Sequence, residues 1–255
     1  MKSLGNWVVF GGMAAIFLAS CFDPPEYSNI PAIEFESVTF IDVAKTSDAD
    51  SLILVVRFKD GDGNMGLDGK DPLDTLYPYQ SRTFFDTVNS NVGYYYPFKN
   101  GPFITYKTKR TNPAYDTLPG FEDPFNCVNW EIVRFSETEV DTFYFQRNAN
   151  HYNIFVDYLV KNNDGTFSEF DWTKEFAYPQ CGITFDGRFP ILSKDLSKSA
   201  ALDGRIRYSM TSTGFLILFS IKTLKLRVTI QDRLLNKSNV VESQEFTLQQ
   251  IKKTG

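Results

Sequence analysis

The sequence predicts an all-β protein, an antiparallel sandwich of short strands that carries one long aromatic-rich insertion. Three observations lead there. Apolar and polar residues alternate strictly in the C-terminal third, an Asp-Gly pair separates two strand-like runs, and long amphipathic helices are lacking. Aromatic residues make up 16% of the chain and are mostly Phe and Tyr, types that fit the half-buried faces of sheets.

The elements follow in order. Glu34 to Val43 is apolar with one break in alternation, which predicts a bulged first strand. Leu52 to Phe58 is almost continuously apolar, as expected of a strand covered on both faces. Tyr152, Ile154, Val156, Tyr158 and Val160 mark one face of a strand, and Asn162-Asn163-Asp164-Gly165 after it signals a hairpin. Leu202, Ile206, Tyr208 and Met210 alternate with Asp203, Arg205, Arg207 and Ser209. Phe215 to Ile221 is the most apolar run of the body, and its length suits a buried strand. Leu224, Leu226, Val228 and Ile230 alternate with Lys225, Arg227, Thr229 and Gln231, and a polar turn at Asn236 to Asn239 leads to a last strand, Val240 to Leu248. Residues 33–250 are therefore expected to form the sandwich. Within it, 68–136 is rich in Pro, Asn, Gly and aromatics and weakly periodic. So long a structureless loop would be unusual, so this stretch is read as an insertion with small hairpins of its own.

The first 20 residues read as a leader. Lys2 precedes an apolar stretch, Trp7 to Leu18, that is shorter than the ~20 residues needed to span a bilayer. Small residues follow at once, as at a cleavage site. Leu18-Ala19-Ser20-Cys21 resembles the lipobox of bacterial lipoproteins. That resemblance implies cleavage before Cys21, diacylation of its thiol, and attachment to a membrane from outside the cytoplasm. Two or three acyl chains give stable anchoring, unlike a single chain. Residues 21–32, with Pro24, Pro25 and Pro31, then form a stiff tether. Acidic residues soon after the cysteine resemble the surface-export signals of Bacteroidota lipoproteins; display on the surface or the periplasmic face stays open. The formal charge is −5 and no basic run occurs, so nucleic-acid binding lacks its electrostatic footprint.

Cys127 and Cys181 are the only cysteines of the mature body. Outside the cytoplasm they can persist as a disulfide; the alternative is two separate buried thiols.

The acidic loop is the most informative candidate site. With Asp60 as position one, oxygen side chains fall at one, three, five, nine and twelve: Asp60, Asp62, Asn64, Asp68 and Asp71. This is the ligand spacing of a calcium loop. Two features depart from that pattern. The sixth position is Met65, with Gly66 one step late, and no flanking helices are expected. Two readings stand: a variant calcium loop between strands, or a Gly-rich connection whose Asp and Asn side chains cap turns. Asp232 and Arg233 offer either an ion pair or a pin for the following turn.

The insertion concentrates Tyr94, Tyr95, Tyr96, Phe98, Phe103, Tyr106, Tyr115 and Phe121. These rings either fill the insertion's own core or present flat apolar faces to a protein or a sugar. Catalytic signals are thin. His151 is the only histidine and directly precedes a strand, which leaves no multi-histidine zinc site. No G-x-S-x-G elbow or phosphate-binding Gly-rich loop occurs.

The run Val55-Val56-Arg57-Phe58-Lys59-Asp60-Gly61-Asp62-Gly63-Asn64-Met65-Gly66-Leu67 resembles a set of uncharacterised Bacteroidota lipoproteins with an F-x-D-G-D-G-D/N-I-G-L loop. The resemblance resumes at Tyr152 to Tyr158 and at Ile230 to Asn239, and omits the insertion. It implies an immunoglobulin-like or fibronectin-III-like sandwich and no reaction. The expectation is a non-enzymatic lipoprotein of the outer membrane that binds or assembles with an envelope protein. The alternative is a surface glycan-binding lipoprotein that supports polysaccharide uptake.

Overall fold

The structure, a computed structural model, describes residues 26–43, 49–87, 92–93, 96–121, 127–172 and 184–254. The leader, Cys21, Tyr94, Tyr95 and Cys181 lie outside these. In chain order the strands are β1 (Ala32–Asp42), β2 (Asp50–Asp60), β3 (Arg82–Phe85), β4 (Val92–Gly93), β5 (Trp130–Arg134), β6 (Val140–Arg147), β7 (Ile154–Lys161), β8 (Phe167–Glu169), β9 (Leu202–Ser212), β10 (Leu224–Ile230), β11 (Val241–Glu242) and β12 (Lys252–Thr254). Among the described residues two short α-helices join them, α1 (Tyr106–Thr111) and α2 (Phe215–Phe219).

The protein is an all-β sandwich. One sheet runs β12-β1-β2-β9 and the facing sheet β11-β10-β7-β8. With the insertion and the outer strand β12 left out, and β1, β2, β7, β8, β9, β10 and β11 lettered A, B, C, C′, E, F and G, these sheets run A-B-E and C′-C-F-G, the order of an immunoglobulin-type sandwich. The alternating residues read from the sequence are the ones that meet between the sheets. Phe40, Leu52, Leu54, Val56, Ile206 and Met210 from one side pack against Ile154, Val156, Tyr158, Leu224, Leu226, Val228 and Ile230 from the other. The bulge in β1 falls between Phe35 and Ser37, which face Val56 and Val55. The hairpin turn between β7 and β8 uses Gly165 at φ +86°, a conformation glycine adopts without steric cost.

Several expectations are corrected. β2 is buried on one face only: Ile53 and Val55 are half-buried and Arg57 is exposed. Their cross-strand neighbours are Thr39, Ser37, Ser209 and Arg207, small or charged residues that leave that face to water. Phe215 to Ile221 is not a strand. Its first five residues form α2, which buries Phe215 and Phe219 at i, i+4 and leaves Ile217 84% exposed, and Ile221, past the helix end, is 93% exposed. A short apolar run fits either element, and here Tyr158 decides, its ring stacking on both Phe215 and Phe219. The last strand expected at Val240 to Leu248 is reduced to β11 and a single bridge from Phe246 to Leu224. The first sheet also gains β12, beyond residue 250, which pairs in parallel with β1.

The insertion forms a third sheet, β4-β3-β6-β5. Its β6 lies past residue 136, so the sheet runs on to Arg147. One face holds Phe84, Phe103, Val133, Phe143 and Phe145; the other holds Ile104, Trp130 and Tyr144. The sheet leaves the sandwich where β2 ends and rejoins it where β7 begins. No helix among the described residues is long and apolar enough to cross a membrane.

Candidate functional site

At one end of the sandwich the loop after β2, the turn after β10 and the N-terminal tether converge. The loop Asp60 to Leu67 is folded into the protein, not draped over it: Met65 is fully buried and Leu67 nearly so. Residues 184–200 cross above it, with backbone bonds from Leu67 N to Phe189 O (3.1 Å), Leu192 N to Met65 O (3.0 Å) and Ala200 N to Asp62 O (3.3 Å). This crossing explains two glycines. Gly63 and Gly66 have φ +70° and +102°, and a Cβ on them would lie 2.3 Å from Ala200 O and 2.1 Å from Pro190 O. The turn after β10 closes the other side, with Arg233 N bonded to Asn64 O at 3.2 Å.

Three carboxylates are thereby drawn together. Oxygens of Asp60, Asp62 and Asp232 lie within 4.8 Å of one another. Asp60 is fully buried, Asp232 nearly so, and Asp62 is half-buried. Asp60 Oδ2 accepts from Gly63 N at 2.8 Å, while its Oδ1 is buried with no donor. Asp62 accepts from the backbone N–H and the side-chain Nδ2 of Asn64, whose own Oδ1 is again buried without a donor. Asp232 Oδ1 accepts from Asn236 N and its Oδ2 from Asn236 Nδ2, both at 2.8 Å. Burial, then the neighbouring charge of Asp62 and hydrogen bonding with it, pushes the Asp60 carboxyl up to about 7; the bond from Gly63 N opposes this and Asp232 adds to it.

The structure thus keeps part of the sequence-derived set and replaces the rest. Asp60, Asp62 and Asn64 stay together. Asp68 and Asp71 turn away to cap their own turns, Asp68 Oδ1 accepting from Lys70 N and Asp71 Oδ1 from Leu73 N. With glycine one position late, the chain leaves the loop before positions nine and twelve can close on the first carboxylates. Asp232 takes their place from the facing sheet. No local signal marks it, but the stretches 55–67 and 230–239, singled out together in the sequence, meet here in space. Asp232 and Arg233 do not pair with each other. Asp232 pins the turn to Asn236, and Arg233 reaches Asp74, which the sequence reading missed.

The same end receives the tether. Gly61 N bonds Ser28 O at 2.8 Å, Tyr27 Oη donates to Asp203 Oδ2 at 2.7 Å, and Lys59 Nζ sits over the Tyr27 ring. Ile30 in the tether, Leu73, Leu76 and Tyr77 in the segment after the acidic loop, and Leu234 in the turn after β10 are exposed, by 48% to 68%. Leu73 and Leu234 flank the Asp74–Arg233 pair.

The other candidates separate. Tyr94 and Tyr95 lie outside the described residues. Tyr96 and Phe98 are exposed, edge-on to Phe84 and Phe103, and Tyr96 Oη donates to Glu131 Oε1 at 3.3 Å. Phe98 borders a groove of about 410 Å³ whose walls include Phe135, Phe143, Lys99, Glu139 and Asp141. Phe103 is buried, and Tyr106, Tyr115 and Phe121 pack beside Trp130 in the insertion's core. Cys127 is disulfide-bonded; Cys181 lies outside the described residues. His151 is half-buried, its Nδ1 2.7 Å from an Arg188 nitrogen and 3.0 Å from Tyr79 O.

No family model, no curated protein and no solved structure matches the chain.

Proposed function

We propose that the protein is a lipid-anchored lipoprotein of the bacterial outer membrane that acts as a non-enzymatic binding or assembly module. The observation that carries this reading is the union of tether and apolar rim at one end of the sandwich. From Tyr27 back to Cys21 an extended chain reaches at most ~20 Å, so acyl chains on Cys21 enter a bilayer beside that end. Ile30, Leu73, Leu76, Tyr77 and Leu234 there are the apolar and amphipathic types that gain from contact with a membrane interface. The resemblance of residues 18–21 to a lipobox, and of 55–67 and 230–239 to Bacteroidota lipoproteins, supports the same placement.

With the tether end toward lipid, the grooved face of the third sheet and the far end carrying α2 are left to a protein partner. His151 is engaged by Arg188 and Tyr79, an arrangement that suits positioning better than proton transfer. Purification from gently solubilised membranes tests the module reading. An envelope protein should co-purify in fixed proportion; recovery of the chain alone under every mild condition argues against it.

A second reading rests on Tyr96, Phe98 and the groove beside them. Exposed rings edged by Lys99, Glu139 and Asp141 offer the stacking face and polar rim that bind sugars. Retardation in polysaccharide gels that disappears in Phe98→Ala would favour a glycan over a protein partner.

A further inference from the structure

The acidic cluster has a feature that turn-capping does not explain. Its unsatisfied atoms are all acceptors. Asp60 Oδ1 is buried and receives no hydrogen bond, in a fully buried residue whose carboxylate lies beside those of Asp62 and Asp232; Asn64 Oδ1, in the half-buried amide that bonds Asp62, is likewise buried without a donor. Buried polar atoms are almost always satisfied, and an unpaired buried carboxylate oxygen is expensive. A donor would meet the need of one oxygen. A cation meets the need of several at once while neutralising like charges that repel, which a proton shared by Asp60 and Asp62 does for one pair alone. Of the two cationic residues adjacent to the cluster in sequence, Arg233 is committed to Asp74 and Lys59 lies over the Tyr27 ring.

We infer that Asp60, Asp62 and Asp232, with the side-chain oxygen of Asn64, bind one hard divalent cation, and that this ion is calcium. The donors are all oxygen and three are carboxylates, the set that hard cations take, and a site built wholly from protein oxygens suits calcium better than magnesium, which keeps several of its waters. The ion bridges the two sheets of the sandwich, tying the root of the insertion after β2 to the turn after β10. Asp62, the half-buried member, gives the route of entry. The inference is independent of the lipid anchor.

The test uses the full chain in detergent, stripped with chelator and titrated with calcium chloride and, separately, with magnesium chloride. One ion should bind per chain, and at calcium 100-fold above Kd the melting temperature should rise by roughly 5–10 °C. Asp62→Asn and Asp232→Asn, each folded in chelator, should lose ~10-fold or more in affinity, whereas Asp68→Asn and Asp71→Asn should bind as the parent does. No heat of binding and no shift in melting would overturn the site. Loss of affinity in Asp68→Asn or Asp71→Asn with retention in Asp232→Asn would overturn the ligand set. An equal response to magnesium would overturn the assignment to calcium.

Discussion

Arg233 holds Asp74 with both ends of its guanidinium, Nη1 donating to Oδ2 at 2.8 Å and Nη2 to Oδ1 at 2.6 Å, and Asp74 is completely buried. Arg233 Nη1 also donates to Gly66 O, and Tyr79 Oη donates to Arg233 O, so one residue of the β10 turn clasps both ends of the segment leading into the third sheet. Burial alone would raise the Asp74 carboxyl. The bonds from Arg233 and from Asp68 N together hold it below its usual range.

Removal of Arg233 should therefore be costly, because it strands a buried charge. Arg233→Ala is expected to destabilise the protein by about 3–5 kcal/mol in denaturant unfolding. A loss under ~1 kcal/mol would mean that Asp74 finds water or another partner.

The glycines of the acidic loop should differ sharply among themselves. Gly66→Ala places a methyl on a backbone at φ +102° and against Pro190, and should cost at least ~2 kcal/mol. Gly69→Ala meets nothing within 4 Å and should stay within ~0.5 kcal/mol. Equal effects at the two positions would show that the crossing segment 184–200 does not press on the loop.

The helix that replaces an expected strand makes its own prediction. Phe219→Ala should cost about 3–5 kcal/mol, since Phe219 is fully buried against Tyr158. Ile217→Asp and Ile221→Asp should be nearly neutral for stability, as both side chains stand in solvent. On a strand, alternate residues would share burial, and Ile217→Asp would be as damaging as Phe219→Ala.

His151 gives a pH dependence. Burial first, then the Arg188 guanidinium, pushes its imidazole below the 6.5 of an exposed histidine. The folded state therefore binds the proton less well than the unfolded chain. The stability involved is complete above pH 6.5 and is lost as pH falls through the lower folded value. Parent and His151→Gln should accordingly converge in stability between pH ~7 and ~5, measured as the difference between their unfolding curves. Parallel curves would mean that His151 is as easily protonated in the fold as outside it.

What the sequence revealed and what it concealed follow from the range of the interactions involved. β9 and β10 were legible because only one face of each is fully buried, so the pleat prints directly onto alternate residues. The bulge in β1 was legible for the same reason, as a slip in that print. Phe215 to Ile221 was not, because a run apolar at every position carries no period and its partner, Tyr158, lies in another strand. β12 is polar, and only its parallel pairing with β1 makes it a strand. In the acidic loop, local spacing identified Asp60, Asp62 and Asn64. Asp232 is brought in by the packing of the two sheets, which no linear spacing encodes.

The account rests on Cys21 carrying lipid, and growth with radiolabelled palmitate followed by fractionation measures this directly. The parent chain should incorporate label, run at its processed size and sediment with membranes, while Cys21→Ser should remain unlabelled, unprocessed at that position and no longer membrane-held through lipid. An unlabelled parent chain, or a Cys21→Ser chain processed and attached as the parent is, would contradict it.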